Sequence, residues 1–296
     1  MEAKKGSLCS LIKDCFYTRQ VLVYFVLAFL ISWLFWGVVF ITDSISSPVV
    51  SVITGIFTLL VGFGPLFAAM IVIKVNGGSI RLWFRRIFLW KVKFHWYLAA
   101  LVVPVLVFLA SGELYSLMGG EVAEGSDLNL LVMLIPLFLW NTLLGGGQEE
   151  LGWRGFALPK LQEKYTALTS SIILGFMHAL WHLPMVFIPG TYQASSSFLF
   201  YVLSVIGIAV VCTWLYNNTG SVLPVMIYHG MNNTLPLFAF LPSFDPEAMV
   251  IPEIPTLLMI ANVLVLLAVA IIISLVFGVK RMTRKTEIPT ISHFKY

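Results

Sequence analysis

Eight uncharged, apolar runs dominate the chain, at roughly 20–42, 49–73, 96–118, 128–147, 168–188, 198–216, 221–241 and 256–279. Each is near the ~20 residues that cross a bilayer as one helix. In hydrocarbon a helix satisfies all its own backbone N–H and C=O groups, and an irregular chain cannot. Composition agrees, with 59% of the 296 residues hydrophobic, 11% charged and a mean hydropathy of +0.94, against ~25% charged in an ordinary soluble domain. The expected fold is an all-α polytopic transmembrane bundle of about eight spans, and a water-soluble single domain is excluded. The first run follows nineteen mixed polar residues. It has no small-residue cleavage pattern near its end and is longer than a signal-peptide core, so it reads as a retained helix.

Charge gives the orientation. With a cytoplasmic N-terminus, eight spans put residues 1–19, 74–95, 154–167, 217–220 and 280–296 inside, and all 18 Lys and Arg fall in those segments. The outer loops hold Asp43, Glu113, Glu121, Glu124, Asp127, Asp245, Glu247 and Glu253 and no base. This is the positive-inside pattern, with both termini cytoplasmic. The formal charge of +4 is thus a topological signal, and no nucleic-acid partner is expected. Lys74, Arg81, Arg85, Arg86, Lys91 and Lys93 read as a topogenic anchor against membrane lipid, with Trp83, Trp90 and Trp96 as belt residues. The chain divides into a cytoplasmic segment 1–19, a membrane-embedded domain 20–279 and a cytoplasmic basic tail 280–296. Cys9, Cys15 and Cys212 are too few and too scattered for a disulfide framework or a thiolate metal site.

Ionisable groups at membrane depth cost at least ~2.5–3.5 kcal/mol each when charged, so they mark function. Three patches carry them: GGGQEELGWRGFALPKL, with Glu149, Glu150 and Arg154; HALWHLP, with His178 and His182; and LPVMIYHGMNNT, with His229 and Asn233. Residues four apart share a helix face, which pairs Glu150 with Arg154, His178 with His182, and His229 with Asn233. Glu149, about 100° round the helix, is free to point elsewhere. Pro184 removes the hydrogen bond to the Leu180 carbonyl and so interrupts its helix. The Gly145–Gly147 run permits close helix approach or a break. Singly, each patch also fits a structural ion pair or a buried His donor. Together they suit activation of water on a carbonyl, with a carboxylate base and His and Asn groups around the oxyanion. No Ser or Cys nucleophile signature and no phosphate-binding loop competes with that reading. Proton or ion transport is the rival use of such buried Glu and His.

At these residues the sequence resembles the CPBP intramembrane protease family, also called the CAAX-protease, bacteriocin-processing or Abi family. Glu149-Glu150 with Arg154 is similar to its E-E-x-x-x-R motif, His182 to the His of F-x-x-x-H, and His229 with Asn233 to H-x-x-x-N. The motif core covers about 140–235. The departure is His178, which stands where the pattern has Phe. The resemblance implies an intramembrane endopeptidase with a cavity open to the cytosolic side, acting on a peptide or protein; the alternative is a non-proteolytic membrane transporter or bacteriocin-immunity scaffold using the same polar cavity. A prenylated C-terminal tail and a bacteriocin-like peptide are the substrate types it suggests, in the plasma membrane of a prokaryote. Within it, Glu149 is expected to be the general base, and Glu150 and Arg154 to hold the helix and tune that base. His182, His229 and Asn233 are expected to position water and stabilise the oxyanion. Zinc is the alternative activator, with His178, His182 and His229 as candidate ligands. These rings lack the intervening acid of an H-E-x-x-H site, and the family has Phe at 178, so a carboxylate mechanism without an essential metal is expected.

In a background free of native cysteines, single cysteines at Ser126 and Ser243 should react with an impermeant thiol reagent from outside the cell only. Reaction from the cytoplasmic side alone would refute the eight-span topology.

Overall fold

A computed structural model describes residues 19–43, 45, 47–121, 132–240 and 253–289. Cys9, Cys15, Glu124, Asp127, Asp245, Glu247 and the labelling positions Ser126 and Ser243 lie outside the described residues, as do 1–18 and 290–296. Among the described residues all regular structure is helical. The long helices are α1 Gln20–Asp43, α2 Pro48–Val61, α3 Gly64–Val75, α4 Ile80–Ile87, α5 Phe94–Leu117 and α6 Leu134–Leu143. A composite helical segment, α7, covers 147–162, followed by α8 Ala167–Trp181, α9 Phe198–Thr219, α10 Leu223–Phe240 and α11 Thr256–Phe277. Among the described residues five helices are long and apolar enough to cross a membrane, namely α1, α5, α8 with its extension to Phe187, α9 and α11. The pair α2–α3 makes a sixth when taken as one broken span.

Three expectations change in detail. The 49–73 run is not one straight span: α2 and α3 meet at Gly62-Phe63 with a bend of 56°. Pro65 has no N–H to offer the Val61 carbonyl four residues back, and the Ser32 hydroxyl donates to that carbonyl instead, at 2.8 Å. The 128–147 run yields only α6 among the described residues, because the chain turns at Leu144–Gly146, where Gly146 adopts φ +135°. Only glycine occupies that region readily. The segment from 154, expected as a loop, stays helical and buried to Gln162, and the exposed turn is Glu163–Tyr165. At Pro184 the helix gives way to a 3-10 stretch, Leu183–Phe187.

Hydrogen bonds between elements sort the helix ends into two faces. On one, Gln20 Nε2 donates to Asn76 Oδ1 at 2.8 Å, and the Val222 N–H to the Ile87 carbonyl at 2.8 Å. There too the Ala167 N–H donates to the Lys280 carbonyl at 2.9 Å, and Asn217 Nδ2 to the Arg281 carbonyl at 2.7 Å. Apart from buried Arg154, every described Lys and Arg sits at these ends or in the connections between them. Amphipathic α4 lies on this basic face, burying Trp83 and Ile87 and exposing Arg81, Arg85 and Arg86. Trp83 Nε1 donates to the Gly155 carbonyl at 2.8 Å and pins α7 there. At the opposite face Thr54 donates to Thr42 at 2.7 Å and the Ile254 N–H to the Ser195 carbonyl at 2.8 Å. The described acids Glu113, Glu121 and Glu253 lie toward that face.

Helix α8 packs on α9, and α10 on α5 and α6. Small residues set these distances, as lipid-embedded helices require. A Cβ on Gly175 of α8 would stand 2.7 Å from the Ile206 Cα and 3.0 Å from the Ala209 Cβ of α9. Gly175→Val should therefore cost about 1–3 kcal/mol through overpacking, read as a lower melting temperature in detergent, while Gly37→Val, with open space around it, should leave melting unchanged.

Candidate active site

The three polar patches meet in the middle of the bundle. Segment α7 delivers the first in an irregular helix, with a 3-10 turn Gly147–Glu149, an α turn Glu150–Gly152 and a π turn Trp153–Ala157 that contains Arg154. Such π-bulges are frequent at functional sites, because they re-aim side chains that a regular helix would place elsewhere. Gln148 braces the entrance to the segment. Its Oε1 accepts from the Gly146 N–H at 2.9 Å and its Nε2 donates to the Leu144 carbonyl at 2.7 Å.

Glu150 and Arg154 form the expected i,i+4 pair. Arg154 Nη1 donates to Glu150 Oε1 at 2.9 Å and to Oε2 at 2.8 Å, with the two residues 0% and 1% exposed. Helix α10 adds His229, whose Nδ1 donates to Glu150 Oε1 at 2.7 Å. That bond leaves Nε2 as the ring nitrogen facing away from the carboxylate.

Glu149 points to a different partner. Its Oε2 accepts from His178 Nε2 at 2.8 Å. One turn on in α8, the His182 Nδ1–H donates to the His178 carbonyl at 3.1 Å. Because a carbonyl only accepts, this fixes the His182 tautomer and leaves its Nε2 lone pair outward. The His178 and His182 rings stack with centroids 5.1 Å apart, Trp153 packs beside His178 at 5.1 Å, and Trp181 meets His182 edge-on at 4.6 Å. These aromatic walls hold the imidazoles in place.

Asn233, on α10 one turn after His229, donates from Nδ2 to the Gly145 carbonyl at 3.0 Å. A Cβ on Gly146 would fall 2.5 Å from Asn233 Nδ2 and 2.7 Å from His229 Nε2. The bare glycine therefore leaves a small space between two polar nitrogens that any side chain would fill.

Glu149, His178, His182, His229 and Asn233 all line one cavity of about 540 Å³, while Glu150 and Arg154 stand behind its wall. Helices α1, α2, α5, α6, α9, α10 and α11 and the connection after α8 contribute the remainder, a largely apolar lining with scattered amides such as Gln193, Asn232 and Asn262. Pockets of this kind, apolar with a few convergent polar groups, suit small ligands and peptide segments.

Residues 131–235 match the family profile described as Type II CAAX prenyl endopeptidase Rce1-like. Over that stretch the chain is similar to the CAAX protease family. CAAX prenyl protease 2 of Methanococcus maripaludis is 32% identical over 142 residues, which cover 46% of this chain and 48% of the relative. The chain thus spans about half the length of the curated relative it matches. The matched stretch contains every motif residue of the cavity, from Glu149 to Asn233.

A metal would find a suitable donor set among these residues. One ligand atom each from Glu149, His178 and His182 lie within 4.8 Å of one another, and two imidazoles with a carboxylate form a common zinc set. His229, the third imidazole of the sequence reading, is outside that group and bonded to Glu150. Sequence reasoning did not single out Gln148, Trp153 or Trp181, although the two tryptophans were visible in GWRG and LWHLP.

Removing the Glu150 carboxylate strands a buried guanidinium, which costs about 3–5 kcal/mol for a buried pair broken on one side. Glu150→Gln should therefore lower the melting temperature in detergent sharply, and Glu149→Gln, which keeps a hydrogen-bonding partner for His178, should lower it little. Equal losses would show that the two carboxylates share one structural role.

Proposed function

We propose that this protein is an intramembrane endopeptidase that hydrolyses a peptide bond with a water activated by Glu149. One observation carries the reading: all three motifs supply side chains to one cavity, yet of the two adjacent carboxylates only Glu149 lines it, Glu150 being held behind the wall by Arg154 and His229. In the proposed step, Glu149 takes a proton from water as the oxygen attacks the carbonyl carbon of the scissile bond. A tetrahedral oxyanion forms. Asn233 Nδ2 retains a second N–H that borders the space where that oxyanion would develop, and His229, whose Nδ1–H is given to Glu150, donates there from Nε2 when its ring is protonated. Collapse breaks the C–N bond, and the proton on Glu149 passes to the leaving amine. His182 Nε2, fixed as an acceptor, orients the attacking water. His178 holds Glu149 in position.

Zinc, where bound, would be held by Glu149, His178 and His182 and would supply a Lewis acid and a more acidic water. The carboxylate route is favoured because His178, one of those three ligands, replaces the Phe of the family pattern. The reading extends to an integral protein of a prokaryotic plasma membrane, embedded over 20–279, with 1–19 and 280–296 in the cytoplasm. The substrate is a peptide or protein. The relative's name speaks of a prenyl protease, and a prenylated tail and a bacteriocin-like peptide are the candidates to assay first.

With purified protein and a fluorogenic peptide library, Glu149→Gln should lower cleavage by roughly 10²–10⁴-fold, as loss of a general base does. Unchanged cleavage would overturn the proposal in favour of a binding or transport role. Activity should survive exhaustive chelation and the change His178→Phe. Loss in both, restored for the chelated wild type by added zinc, would assign the chemistry to a metal.

A further inference from the structure

Between α4 and α5 the basic face carries a second hollow, of about 550 Å³, that the proposed reaction does not use. It is lined by Phe84, Arg85, Phe88, Leu89, Trp90 and Lys91. Its apolar surface is open to the surroundings, with Phe88 37%, Leu89 44% and Trp90 71% exposed. Its charge is of one sign. Lys91 Nζ stands 5.3 Å from the centroid of the Trp90 ring. Among the described residues the exposed Arg85 guanidinium has no hydrogen-bond or ion-pair partner.

The backbone acceptors around the hollow are already taken. The Phe84 carbonyl accepts from the Phe88 N–H at 3.0 Å, and the Ile87 carbonyl from the Val222 N–H at 2.8 Å. The Trp90 carbonyl accepts from the Tyr97 hydroxyl at 2.8 Å and from the Val92 N–H at 2.9 Å. The described acids of this face are Glu163, paired with Lys160 at 3.0 Å, and Glu287, and neither lines the hollow. Two cations therefore stand over aromatic surface without a described carboxylate beside them. A guanidinium and an ammonium suit a phosphate, and exposed rings suit a hydrocarbon chain. At the helix ends of a membrane protein, the molecule with both parts is an anionic phospholipid. Soluble phosphate would leave the rings uncovered, and an apolar peptide would leave the cations unpaired.

We propose that this hollow binds an anionic phospholipid, its phosphate between Arg85 and Lys91 and an acyl chain along Phe84, Phe88 and Trp90. The lipid acts on the candidate active site, because α4 is tied to two of the elements that build it. Trp83 Nε1 donates to the Gly155 carbonyl, in the π turn of α7, at 2.8 Å. Val222, whose N–H goes to Ile87, immediately precedes α10, the helix that bears His229 and Asn233. A lipid that steadies α4 therefore steadies α7 and α10. The site differs from the orientation signal carried by the same basic run. A topogenic charge acts during insertion whichever side chain supplies it, whereas the site depends on Arg85 and Lys91 in particular. Neither proteolysis nor the side on which the central cavity opens enters the argument.

The test uses the full chain in nanodiscs of phosphatidylcholine, alone or with about one third phosphatidylglycerol. Phosphatidylglycerol should raise the melting temperature by about 4 °C, as a ligand of the native state does, and should stay on the protein in native mass spectrometry. Arg85→Gln combined with Lys91→Gln should abolish the rise and weaken phosphatidylglycerol retention about thirtyfold, while leaving melting in pure phosphatidylcholine unchanged. Lys74→Gln combined with Lys164→Gln removes the same charge from the same face away from the hollow, and should keep both the rise and the retention. Trp90→Leu keeps every charge and should weaken retention through the lost ring. No rise in the wild type, or equal losses in the two double variants, would overturn the site in favour of diffuse surface charge. Retention unchanged by Trp90→Leu would overturn the apolar half of the proposal. An equal rise with free glycerol phosphate in phosphatidylcholine discs would overturn the lipid and assign the hollow to a soluble phosphate.

Discussion

A carboxylate and a guanidinium buried side by side in the middle of an apolar bundle are stable only if they neutralise each other and are held still. Glu150 and Arg154 meet this condition with two hydrogen bonds from one guanidinium nitrogen and a third from His229. Desolvation makes the ensemble expensive to break, even though it adds little net stability when complete. That cost fixes α7 against α10, and so fixes where Glu149 stands. With its neighbour committed to the wall, Glu149 is the carboxylate left for the cavity. The adjacency of two acids in sequence thus produces a division between one carboxylate held behind the wall and one that lines the cavity, set by which partners each finds.

The backbone breaks around the site follow the same logic. Gly62-Phe63 between α2 and α3, Leu144–Gly146 before α7 and the 3-10 stretch after His182 all contribute to the cavity lining, and the π turn through Arg154 lies behind its wall. Irregular backbone at membrane depth is tolerable where protein or a cavity satisfies the freed groups. Here Ser32 takes the Val61 carbonyl, Gln148 takes the Gly146 N–H, Asn233 takes the Gly145 carbonyl and Trp33 takes the Trp181 carbonyl, at 3.0 Å. At the Leu144–Gly146 break the two side chains that do so, Gln148 and Asn233, also line the cavity.

The regular outer helices and the irregular inner elements divide the work. The apolar helices α1, α5, α9 and α11 need only length and hydropathy to insert. The inner elements α6, α7 and α10 carry Asn141, Gln148, Glu149, Glu150, Arg154, His229 and Asn233. They keep them at depth because neighbours satisfy them, as in the Asn141 to Thr234 hydrogen bond at 3.0 Å between α6 and α10.

Much was legible before any coordinates. Hydropathy gave the helical class because apolar runs near span length have one stable conformation in lipid, and charge sorting gave two distinct faces. The four-residue spacings gave Glu150 with Arg154 and the stacked His178 and His182, because neighbours on one helix face are set by local geometry alone. The break at Gly62-Phe63 and the shortness of α6 were not legible, since glycine and proline permit a bend without requiring it and hydropathy counts residues rather than their path. Nor were the bonds from Glu149 to His178 or from His229 to Glu150, which join residues 29 and 79 positions apart. Local sequence fixed which side chains share a face. Only the packing of α7 between α8 and α10 decided which carboxylate meets which imidazole, because that choice depends on distances between helices that no spacing along one helix encodes.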